Sequence, residues 1–125
     1  MKLITSAQQV RDANDTQYRN VPVPEWGDED TELRIRSMSA NEIRKFTNLK
    51  GDNQKSAMAR AIVMCAVDET GDTIFTSDDI NWMMDKSVAV LHRLQDAILI
   101  LNGMKNAPTD DEDSSDDEVT KAGKG

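Results

Sequence analysis

Between Ala57 and Val67 every residue except Arg60 is apolar, a run too uniform to leave a face for solvent. The pattern predicts a helix over about 54–67, buried nearly all round, as the central core element. Asp52 or Asn53 can cap its start. Before it, Ile43, Phe46 and Leu49 recur at helical spacing on one inner face, predicting a helix over 40–49 that stops at Lys50-Gly51 in the manner of a glycine C-cap. After it, Asp68–Phe75 reads as a tight turn, and Thr76–Asp79 carries a cap signal for a short helix over 78–84. Leu91, Leu94, Ile98 and Leu101 make one stripe of a last helix over 87–101, ended by Asn102-Gly103. Its final turn, Ile98–Leu101, is apolar around the whole circumference, so its back must meet another part of the fold or another molecule. A first short helix over Ser6–Ala13, with Ala7, Val10 and Leu3 on one side, is marginal alone.

From Tyr18 to Met38 the period changes from helical to alternating. Pro22 and Pro24 fix φ and remove backbone donors, so the strand that carries them can pair along one side only and belongs at a sheet edge. Opposite it, Leu33, Ile35 and Ser37 alternate with Arg34, Arg36 and Met38, one set facing a core and the arginine stems facing solvent or acidic neighbours. Gly27–Thr31 is polar turn material. Ser39 and Glu42 then have the spacing of a capping box, which fixes where the next helix begins. The fold class that follows is α+β, mainly helical. A small N-terminal β-hairpin over about 18–38 packs on a bundle of about four helices in a single domain, 1–107.

Composition sharpens this picture at the C-terminus. Seven of the nine residues from Asp110 to Glu118 are acidic, so residues 108–125 read as a disordered acidic tail with too little apolar surface to fold. With Lys121 and Lys124 the tail carries −5 of the chain's −8, which leaves −3 for residues 1–109. A net negative chain is a poor match for nucleic acid, whose phosphates select lysine and arginine. Aromatic content of 4% means that the core must be built from aliphatics, alanine and methionine. Cys65 is the sole cysteine, so no internal disulfide forms and a reducing compartment is expected. Met1–Thr5 has no long apolar stretch with a cleavage site, and no segment reaches the roughly 18–20 apolar residues of a membrane span. A soluble, intracellular protein is expected.

Catalysis finds no convergent set of groups. His92 and Asp96 stand one helical turn apart, but two ligands do not make a metal site, and a solvated pair is the simpler reading. Asp68–Asp72 departs from a calcium loop because Thr70 takes the third position and Gly71 comes two residues early. No phosphate-binding glycine loop and no Cys/His cluster occurs, so neither enzyme activity nor a metal or other cofactor is expected. What remains is surface. Methionine occurs seven times, and Trp82-Met83-Met84 clusters adaptable apolar side chains on a helix too short to bury them all. Core filling and partner binding compete there. Trp26 stands beside the proline-stiffened edge, where it can anchor a core or a partner. The candidate partner-binding residues are Trp26, Trp82, Met83, Met84, Ile100 and Leu101.

Several stretches in order carry a resemblance: Val23–Gly27, Leu33–Glu42, the apolar helix running into Val67–Phe75, Asp78–Ile80, and Leu94–Gly103. Together, over most of residues 3–104, they resemble the tail assembly chaperones of long-tailed, siphovirus-type bacteriophages. The resemblance implies a protein that binds the phage tape measure protein, keeps it soluble and extended, and recruits subunits of the major tail tube protein. It further implies work in the host cell cytoplasm, absence from the finished virion, and a longer form of the same protein made by ribosomal frameshifting. The terminal Gly123-Lys-Gly125 fits a slippery purine-rich codon run, and the acidic tail fits a connector or a solubilising segment. Self-association is a further partner expectation; nucleic acid and membrane are not. Two other readings compete: a minor structural or connector protein of the particle, and an acidic DNA-mimic inhibitor.

Overall fold

Alternation and proline placement build the sheet. The structure, a computed structural model, describes residues 1–106. In chain order its elements are α1 (Ala7–Asp12), β1 (Tyr18–Pro22), β2 (Glu32–Arg36), α2 (Ala40–Thr47), α3 (Asp52–Lys55), α4 (Ala57–Cys65), β3 (Ala66–Val67), α5 (Ile80–Met83) and α6 (Val88–Leu101). Single 3-10 turns precede the hairpin loop and α5. The class is α+β and mainly helical. β1 lies at the edge, as Pro22 allows, and pairs antiparallel with β2, Val21 opposite Leu33 and Pro22 opposite Glu32; Pro24, expected in the same strand, instead opens the 3-10 turn Pro24–Trp26, because its fixed φ suits the first position of a turn. Val21 and Ile35 turn inward and are buried.

The third strand departs from the sequence reading. The apolar run leaves the helix after Cys65, and Ala66 and Val67 pair with Ile35 and Arg34 of β2. The Asp68 turn closes behind them: Asp68 N donates to Asp72 O at 2.8 Å, and Val67 bridges to Thr73. The expected helix over 54–67 is also broken at its start. Ser56 has φ −102° and ψ 18°, and its hydroxyl donates to the carbonyls of Asp52 and Asn53, so α3 and α4 are separate pieces. Met38, expected beside the arginines, is buried because the chain leaves the strand at Arg36. The helix over 40–49 ends at Thr47; Gly51, with φ 60°, opens α3 rather than closing α2.

α4 and α6 form the centre. Ala59, Ala61, Ile62 and Cys65 of α4 join Val90, Leu91, Leu94 and Ile98 of α6 and Ile35 of the sheet in one buried cluster. The end of α6 is set by Gly103 at φ 71°: Gly103 N donates to Ile100 O and Met104 N to Leu99 O, the paired bonds of a Schellman ending. Asn102 ties this end to the start of α2. Its Oδ1 accepts from Met38 N at 2.7 Å, and its Nδ2 donates to Ile98 O at 2.7 Å. Asn102→Ala should lower the unfolding free energy by about 1–3 kcal/mol, read in urea denaturation, because Met38 N–H is left without its partner.

The Ser39–Glu42 capping box forms as its spacing predicts, and Arg36 joins it. Arg36 grips Glu42 with two bonds of 2.9 and 2.8 Å, while Ser39 N donates to the same carboxylate. The Arg36 guanidinium, with the Ser39 N–H, holds Glu42 at about 2, below the ordinary 4.5. A carboxylate lowered in the folded state stabilises above its unfolded value, and that contribution disappears as pH falls through 4.5 toward 2. Glu42→Gln should therefore destabilise by about 1 kcal/mol at pH 7, after allowance for solvent screening, with the gap from the parent closing at low pH. Urea midpoints taken between pH 7 and 3 measure it.

α1 carries a capping box between Ser6 and Gln9, but its apolar side is uncovered: Leu3, Ile4 and Val10 are all exposed. Among the described residues no helix is long and apolar enough to cross a membrane. The expected acidic tail, 108–125, lies outside the described residues.

Candidate functional site

Because α4 is apolar nearly all round, with Arg60 its one charged residue, burying one face against α6 leaves another to be covered. α2 covers it only in part. Phe46 and Leu49 from α2 and the loop after it, Val63 and Met64 from α4, and Ile80 from α5 wall a groove of about 210 Å³. That is smaller than the ~300–1,000 Å³ of a small-molecule pocket and suits one or two large side chains. Lys45, Arg60 and Ser77 stand at its edges. Arg60 is held there by neutral partners, Nε donating to Ser56 Oγ at 2.9 Å and Nη2 to Asn53 Oδ1 at 2.7 Å, and among the described residues no carboxylate pairs with it. An apolar floor of this kind has the chemistry to accept apolar side chains from the ridge of an amphipathic helix.

The six residues singled out from sequence do not share one environment. Met83 is a correction to the surface reading: it is fully buried, because α5 is a single turn and this position points at the core. Trp82 and Met84 point out and remain 43% and 39% exposed. The Trp82 indole N–H donates to Asp79 Oδ1 at 2.8 Å, its ring meets Phe75 edge-on at 6.0 Å, and Lys86 Nζ lies 5.9 Å from the ring centre. The Thr76 N–H and then the Trp82 N–H hold Asp79 below its usual range. This indole is therefore held in place while much of its surface stays exposed, as an anchor for a partner would be. Ile74, also exposed, lies next to Phe75 in the chain.

Trp26 is half-buried on the core, in the loop that leaves β1. Its neighbour Glu25 takes two bonds from Arg93 of α6, at 2.8 and 2.7 Å, which hold that carboxyl at about 2. Ile100 and Leu101 are half-buried on the last turn of α6, roughly 10 Å farther along the same helix. Leu101 packs on the core. Trp26 thus belongs to the hairpin end of α6, and Ile100 and Leu101 to its other end.

The groove itself was missed because its residues look like core. Phe46 and Leu49 have helical spacing toward an inside, and nothing in the uniform run of α4 separates Val63 and Met64 from buried Ile62 and Cys65. The available signal is a surplus: Met58, Val63 and Met64 exceed what one short neighbouring helix can cover, and all three are half-exposed. Burial pushes the Cys65 thiol up to about 11, which keeps it protonated and unreactive. Asp68 caps its own turn, accepting from Thr70 N, Thr70 Oγ1 and Asp72 N, and Asp96 pairs with Lys105 at 2.9 Å. Among the described residues no group of three or more His, Cys, Asp or Glu is placed to hold a metal ion.

No protein-family model matches the chain, and no curated protein matches it in sequence. Among solved structures it is similar to the bacteriophage HK97 tail assembly chaperone, with a TM-score of 0.56 over 82% of this chain and 95% of that one, at 17% sequence identity. The hairpin, the central helix pair and the groove are therefore set on a fold shared with a phage tail assembly chaperone.

Proposed function

We propose that this protein is a phage tail assembly chaperone that binds the tape measure protein, keeps that long apolar client soluble, and promotes assembly of the tail tube. The observation that carries the reading is the cation-rimmed apolar groove on a fold that matches such a chaperone along nearly its whole length. Each groove takes one short apolar ridge of the client. Several copies along one extended substrate add their weak contacts through effective concentration, so no single site needs high affinity. Trp82 and Met84 supply a second apolar contact on the outside of α5, with Ile100 and Leu101 as outlying contacts. The partners in this reading are the tape measure protein, the major tail tube protein and a longer frameshifted form of the chain, met in the host cytoplasm. The folded body, about 1–107, does the binding and needs no catalysis.

Mass spectrometry of purified particles against the infected-cell lysate tests this role. The expected result is abundant protein in the lysate and none in the virion. Stoichiometric presence in particles overturns it in favour of a structural or connector subunit.

A further inference from the structure

Charge is distributed unevenly over this acidic chain. From Ile43 to Val67, Arg44, Lys45, Lys50, Lys55 and Arg60 stand against the single Asp52, in a chain of net charge −8. Two of these cations line the apolar groove from different walls, Lys45 on α2 and Arg60 on α4. At the third wall, before α5, Ser77 lines the groove and Asp78 follows it in the chain. Positive charge therefore marks the α2 and α4 sides of the opening.

Arg60 is prepared for a carboxylate. Its bonds from Nε to Ser56 Oγ and from Nη2 to Asn53 Oδ1 occupy one edge of the guanidinium and fix its plane. Among the described residues the outer fork, Nη1 with the second Nη2 hydrogen, has no partner, and a fork of that shape fits the two oxygens of a carboxylate. Because the head is already held, little side-chain freedom remains to be lost when an acid arrives. Lys45 is exposed on α2 and adds a mobile charge on the facing wall. A helix laid into the groove places residues three or four positions from its apolar anchor on the same face, within reach of these two cations.

We propose that the groove selects its ligand by charge: it takes amphipathic helical segments whose apolar anchors are flanked, three or four residues away, by glutamate or aspartate that pairs with Arg60 and Lys45, and it rejects segments with the same anchors flanked by lysine or arginine. The apolar floor of Phe46, Leu49, Val63, Met64 and Ile80 accepts any large apolar side chain of the right size, so it discriminates little between one apolar ridge and another. The rim supplies the difference, through attraction to one class and like-charge repulsion of the other. Along a long client the acid-flanked ridges are covered first. That client rests on the function proposed above; the charge preference of the groove does not.

Fluorescence anisotropy with the full chain and labelled helical peptides tests it without any phage client. Two peptides share one leucine ridge and differ only in carrying glutamate or lysine at the flanking positions; a third carries the same glutamates on the opposite helix face. The glutamate-flanked peptide is expected to bind at least about tenfold more tightly than its lysine twin and than the third peptide, with the first gap shrinking about threefold between about 50 mM and 300 mM salt. The overall charge of −8 favours the lysine peptide, so a preference for glutamate has to arise at the groove. Lys45→Glu, at an exposed position, should cut the preference at least about threefold, and Lys45→Glu with Arg60→Gln should erase it. Equal binding of the peptides, a preference for lysine, a preference that survives both substitutions, or no binding at all overturns the proposal. If the peptides bind equally and Met64→Glu weakens all of them, the groove still docks apolar ridges and only the charge selection falls. The chaperone reading is judged separately, by the content of purified particles.

Discussion

Met83→Ala is expected to lower the stability of the fold by about 2–5 kcal/mol, whereas Met84→Ala changes it by less than about 0.5 kcal/mol. The two methionines are adjacent and chemically identical, so only their position differs. Met83 is fully buried and belongs to the same apolar cluster as Ile62, Leu91 and Leu94, and truncating it removes buried methylenes and leaves a cavity among close-packed neighbours. Met84 is 39% exposed and leaves mainly water behind. For a domain of this size the first variant consumes a large part of a total of roughly 5–15 kcal/mol, and each kcal/mol lowers the melting temperature by about 4–8 °C. Urea denaturation of both variants reads the contrast. Equal losses would mean that α5 is rotated and that the division between anchor and core is wrong.

Met64→Glu is expected to weaken retention of the client at least about 30-fold while leaving the fold within about 1 kcal/mol of the parent. Met64 is half-exposed on the groove wall, so a carboxylate there can stay hydrated in the free protein and does not unfold it. In the complex the same charge would be enclosed by Phe46, Leu49, Val63 and Ile80 and lose its water, which is where the loss arises. Trp82→Ala probes the outer contact and should weaken retention less, because Trp82 stands on an exposed surface rather than in an enclosed site. Circular dichroism separates a folding defect from a binding defect. If Trp82→Ala abolishes retention and Met64→Glu leaves it intact, the groove is not the primary contact.

Much of this architecture is legible in local chemistry. Pro22 places an edge strand before any partner is known, Ser39 and Glu42 fix the start of α2, Thr76 and Asp79 fix the turn into α5, and the Leu91, Leu94 and Ile98 stripe gives α6 its buried face. These signals lie within a few residues of what they determine. β3 does not: Ala66 and Val67 continue an apolar run, and only Ile35 and Arg34, about thirty residues away, make them a strand. The groove is illegible for a related reason. Apolar positions report that a residue avoids water, but a half-covered Met64 and a covered Ile62 carry the same signal until the size of the neighbouring helix is known. Met83 and Met84 differ only in the angle at which one helical turn meets the core.

Co-expression with the tape measure protein of the same phage, followed by affinity capture and a solubility assay, tests the central claim most directly. The account predicts that the long client stays in the soluble fraction and co-purifies with the parent chain, and that Met64→Glu returns it to the pellet. A tape measure protein that precipitates equally with and without this chain, and is never captured by it, would contradict the account.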